Sequence, residues 1–72
     1  MAEYNGHRSW NAWNVDLWIW NDEGTYSWAK SYVDTYGRNK AARMLARDLA
    51  GQSTPDGAKY NLTCIREALA GM

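Results

Sequence analysis

Apolar residues along this chain gather into four stretches separated by short polar runs. The densest stretch spans Trp10 to Trp20, where Trp10, Trp13, Leu17 and Trp20 recur at spacings of three, four and three. Those spacings mark one face of a helix. Ala12, Val15 and Ile19 fall on the opposite side, with Trp18 between. A helix apolar nearly all round needs neighbours on several sides. Ser9 stands where its oxygen can accept a hydrogen bond from a free N–H of the first turn. The pattern therefore predicts a helix from Trp10 to about Asn21. A strand is the competing reading, because Trp and Val favour strands and Asn14-Val15-Asp16-Leu17 alternates.

Asn21-Asp22-Glu23-Gly24 interrupts the pattern. Its carboxylates suit the positive end of a following helix. That second helix is expected from Glu23 or Thr25 to Tyr36. Tyr26, Ala29, Val33 and Tyr36 would face inward, and Trp28 and Tyr32 form an i,i+4 pair. Gly37 is placed to end it in the left-handed conformation. A third helix opens at Arg38 or Asn39 and ends near Ala50, before Gly51. Ala42, Leu45, Ala46 and Leu49 form its apolar stripe, and Lys40, Arg43 and Arg47 share the opposite face. Residues 52–60 read as a loop around Thr54-Pro55-Asp56-Gly57, a turn in which Pro fixes φ and Gly permits positive φ. A short last helix runs from about Leu62 to Ala70, capped by Asn61 or Thr63, with Leu62, Ile65 and Leu69 inward.

These elements describe an all-α domain of three to four short helices around a tryptophan-rich core. The alternative is an α+β fold with a short N-terminal strand. Residues 1–8 read as an extended arm with a turn at Asn5-Gly6.

Length sharpens the picture. Seventy-two residues make one domain, and chains this short are often marginal without a staple. Cys64 is the lone cysteine, so no disulfide can form within a monomer. Cys64 and His7 together supply two strong ligands where structural zinc uses four; no metal and no cofactor are expected. All five tryptophans, in a chain without phenylalanine, are the expected compensation, and homo-oligomerisation is a second source of stability. No leader-like apolar segment opens the sequence and no run approaches a membrane span. The expectation is a cytoplasmic protein.

The formal net charge is zero but unevenly spread. Glu3, Asp16, Asp22, Glu23 and Asp34 face only Arg8 and Lys30 in the first 34 residues. Arg38, Lys40, Arg43 and Arg47 face only Asp48 over the next sixteen. Internal complementation of the two parts is the plain reading. The sharper one is anion or nucleic-acid contact through Lys40, Arg43 and Arg47.

No set of groups converges on a catalytic chemistry. His7 lies beside a glycine turn, Asp22 and Glu23 suit a helix dipole better than an acid–base pair, and Cys64 reads as a small core residue. A non-enzymatic protein is expected. Five indoles cannot all be hidden in a chain this small, and Trp and Tyr are enriched at binding hot spots. Trp18, Trp20, Asp22, Glu23 and Trp28 are the candidate partner-binding residues.

Tyr4-Asn5-Gly6, Ser9-Trp10, Trp13-Asn14-Val15, Leu17-Trp18-Ile19, Asn21-Asp22-Glu23-Gly24 and Tyr26 together resemble a family of small bacteriophage and prophage proteins of unknown function. Thr54-Pro55-Asp56-Gly57 is similar to a turn in the same proteins. The likeness is dense over residues 4–26 and thinner beyond. His7 stands where that family often has Trp, and Trp10 and Ala12 stand near its usual Tyr and Thr. The resemblance implies a phage accessory protein in a bacterial host's cytoplasm. Its class implies inhibition of a host defence protein by binding, an anti-CRISPR among the options, with a Cas effector as one such partner.

Overall fold

The computed structural model describes residues 9–72. Four α-helices follow in order: α1 Trp10–Asn21, α2 Glu23–Tyr36, α3 Arg38–Asp48 and α4 Leu62–Ala68, the last running into a 3-10 turn at Leu69–Gly71. The fold is all-α. Among the described residues the single β-type pairing is an isolated antiparallel bridge between Ser53 and Lys59. The arm, its Asn5-Gly6 turn and His7 lie outside the described residues.

Each helix starts for a local reason. Ser9 accepts from the Ala12 N–H to open α1. Asp22 accepts from the Thr25 N–H to open α2, and Asn61 accepts from the Cys64 N–H to open α4. Such caps satisfy first-turn donors that have no partner within the helix. Gly37 is the whole linker between α2 and α3. Its N–H donates to Val33 and its carbonyl accepts from Ala41. Its backbone sits at φ 84° and ψ 161°. That differs from the left-handed helical cap expected there: φ is positive but ψ is extended, a region essentially confined to glycine.

α1 packs mainly on α4 and α2, and α3 on the same two helices, so α1 and α3 lie diagonally across the bundle. The core between them is aliphatic and small. Ala12, Val15 and Ile19 meet Ala29, Ala41, Ala42, Leu45, Leu49, Ala58, Cys64, Ile65, Ala68 and Leu69. Six alanines in that set let the backbones approach closely, leaving no room for an indole. This corrects the expected tryptophan-rich core. Trp28 packs against the cluster from its edge, and none of the five tryptophans is fully buried. The stripe Trp10, Trp13, Leu17 and Trp20 is the outer face of α1, and the inner face is the opposite one.

Two smaller corrections share that cause. Tyr36 and Leu62, expected inward, are exposed, because alanines at 41 and 68 and the aliphatic Ile65 and Leu69 already fill the space. Ala41, outside the expected stripe of α3, is buried.

Candidate functional site

The most elaborate polar construction joins α1 to the 52–60 loop. Asn11, Asn14 and Trp18, at i, i+3 and i+7, project along one flank of α1. The Asn14 amide donates to Asp56 Oδ2 at 2.9 Å, and the Trp18 indole N–H donates to the same oxygen at 2.9 Å. The Thr54 hydroxyl donates to Asn14 Oδ1 at 2.6 Å and accepts from the Ala58 N–H at 3.0 Å. The turn closes on itself where the Gly57 N–H donates to the Thr54 carbonyl at 2.9 Å, with Pro55 at the first corner and Gly57 at φ 97°. Asn11 donates to the Lys59 carbonyl at 2.8 Å and accepts from the Lys59 N–H at 2.7 Å. It also donates to Cys64 Sγ at 3.3 Å.

Asn14 and Thr54 are buried, and every polar atom of that pair has a partner here. The two hydrogen bonds hold the Asp56 carboxyl below the usual carboxylate range, Asn14 contributing more than Trp18. This construction binds the fold to itself, and beside it Ser9, Asn11, Asn61, Leu62, Thr63 and Cys64 line an open hollow of about 540 Å³.

The expected partner-binding residues do not form one patch. Trp18 is half-buried with its N–H spent on Asp56. Trp20, on the other flank of α1, is 39% exposed; its N–H donates to the Ala68 carbonyl at 2.8 Å and its ring lies 5.2 Å from Tyr26. Asp22 is exposed, but its carboxylate caps α2 through the Thr25 N–H and hydroxyl, the hydroxyl contact being the larger cause of its lowered pKa. Glu23 is exposed in the first turn of α2. Trp28 is half-buried against the core and edge-on to Tyr32 at 5.9 Å.

A surface does assemble along α1, and it includes Trp20 of the expected set. Trp10, Trp13, Leu17 and Trp20 run the length of α1 on its outer side, with Trp10 and Trp20 each 39% exposed and Trp13 and Leu17 half-buried between them. Asn21, Asp22 and Glu23 follow at its C-terminal end, all exposed. No basic residue lies in the last turn of α1 and no acidic one in its first.

The family model for DUF7249 matches residues 1–72. The chain belongs to this family of unknown function. No curated protein and no solved structure matches it. The family therefore assigns no activity to these residues.

The α3 cations are all exposed. Arg38 Nε donates to the Arg66 carbonyl at 3.0 Å, Lys40 Nζ stands 5.1 Å from the Tyr36 ring centroid, and Arg47 Nε lies 3.8 Å from Asp48 of its own helix. Lys30 likewise pairs within its own helix, with Asp34 at 2.7 Å. These contacts do not join the basic helix to the acidic N-terminal part.

Proposed function

We propose that this chain is a non-enzymatic binding protein that docks on another protein through the outer face of α1. The observation that carries the proposal is the outward stripe Trp10-Trp13-Leu17-Trp20. Trp10 and Trp20 lie exposed at its two ends with Trp13 and Leu17 half-buried between them, and apolar surface of that size left in water costs free energy. Large aromatics of this kind supply most of the energy at protein interfaces. The exposed Asp22 and Glu23 at one end favour a partner whose apolar pocket has a basic rim. The resemblance to phage proteins supports a partner among the proteins of bacterial host defence, a Cas effector being one such target, with inhibition by covering its working surface in the host cytoplasm.

The test is affinity capture from a bacterial host, comparing the wild type with a Trp10→Ser, Leu17→Ser double variant. The expected result is a stoichiometric defence protein on the wild type, bound about 30-fold more weakly by the variant, while thermal unfolding is little changed. A wild type that retains no host protein, or a variant that binds as well, overturns the reading.

A further inference from the structure

The face of α3 turned away from the core is a second surface, diagonal to α1 and chemically its opposite. Ala41, Ala42 and Leu45 face inward, and Lys40, Arg43 and Arg47 face out. Lys40 and Arg47 are seven positions apart on the helix, about 10 Å along the axis. A flexible single strand can bring about two or three of its phosphates within that span. At the Lys40 end stands Tyr36, 45% exposed. It is the last rung of an aromatic ladder along α2 in which Trp28, Tyr32 and Tyr36 meet edge-on at 5.9 and 6.1 Å. Tyr32 is held from the α3 side by its hydroxyl, which donates to Asp48 at 3.1 Å.

From this geometry we infer that the α2–α3 face binds a single-stranded nucleic acid, with Lys40, Arg43 and Arg47 on consecutive phosphates and a base against Tyr36. A row of cations ending at an exposed, supported aromatic ring is the combination that single strands use. A duplex or an acidic protein would engage the cations and leave the ring idle. The acidic Asp22 and Glu23 sit at the N-terminal end of α2, the opposite end of that helix from Tyr36. The only carboxylate the row itself carries is Asp48, and the exposed Arg47–Asp48 contact at 3.8 Å is readily given up. The inference is independent of the docking face on α1.

Fluorescence anisotropy with a labelled oligothymidylate tests it on the intact chain. Three phosphate contacts on a single strand give a log–log salt slope of about −2, a loss of roughly fifteenfold in affinity from 50 to 200 mM salt. Lys40→Ala, Arg43→Ala, Arg47→Ala together should lower the affinity at least tenfold and flatten the slope. Tyr36→Ala should weaken the single strand severalfold and leave a duplex of the same length unaffected. The Trp10→Ser, Leu17→Ser variant should bind the oligonucleotide normally, which separates failure here from failure of the α1 reading. Absence of binding at low salt, equal binding by the triple variant, or equal binding of polyglutamate at matched ionic strength overturns the inference.

Discussion

The Trp18 indole N–H donates to Asp56 Oδ2 at 2.9 Å, across 38 positions of sequence. With the Asn14 amide on the same oxygen, this makes the Asp56 carboxylate the point where the loop turn is fastened to α1. Because its folded pKa is lowered, Asp56 adds stability that is present above the ordinary carboxylate pKa of about 3.9 and lost as pH falls through the lower, folded value. Asp22 contributes in the same direction through Thr25. Thermal unfolding followed from neutral pH to below about 4 should show a steep fall for the wild type. In Asp56→Asn the starting stability should be lower and the fall shallower. An unchanged pH profile in the variant removes Asp56 from this role.

The buried Thr54–Asn14 hydrogen bond should be costly to break from either side. Thr54→Val keeps the shape but leaves Asn14 Oδ1 without its donor and the Ala58 N–H without its acceptor. Asn14→Ala leaves the Thr54 hydroxyl and Asp56 short of a partner. Each is expected to cost about 1–3 kcal/mol in chemical denaturation. The double variant should cost clearly less than the two together, because they share one contact. Simple additivity would show that the pair is not coupled.

The helices are legible in the sequence because their ends are written in single residues. Ser9, Asp22, Gly37 and Asn61 mark boundaries, and the structure places caps at all four. The way α1 faces is a different matter. Both of its sides are apolar, so periodicity cannot choose between them. What decides is the surface α1 packs on: Val15 and Ile19 join a cluster in which six of thirteen side chains are alanine. Volume matching between separate helices leaves no trace in the periodicity of either one.

The fastening of the loop is also hidden, though a signal exists. Asn11 and Asn14 are weak helix formers in the middle of an apolar helix. They share a flank with the polar edge of Trp18, and the chain holds one turn rich in acceptors, at Thr54–Gly57. Asparagines that pay a helix penalty on one face imply a polar partner for that face.

The alanine-filled core predicts intolerance of added volume. Ala41→Leu and Ala42→Leu insert atoms where two helices meet at full burial. Each is expected to destabilise by about 1–3 kcal/mol and to lower Tm by at least about 4 °C. Ala50→Leu, at an exposed position, should change little. Equal tolerance at all three positions in a melting series would mean the helices are not in close contact.

Gly37 should resist replacement for conformational reasons alone. A Cβ there meets nothing within 4 Å, yet φ 84° with ψ 161° is strained for any L residue. Gly37→Ala is expected to cost about 1–3 kcal/mol. Gly37→Asn should fare no better, since asparagine's tolerance is for the left-handed helical well and ψ here lies outside it. Stability measurements in which Asn restores most of the loss would contradict the geometry.

Asn11 has a last consequence. The Ser53–Lys59 bridge leaves the outer N–H and C=O of Lys59 pointing away from their ribbon, a short template on which another chain's strand could add. The Asn11 amide occupies both groups, a side chain doing there what a neighbouring strand would do. The Lys59 edge of this small bridge is thereby closed to edge-to-edge aggregation.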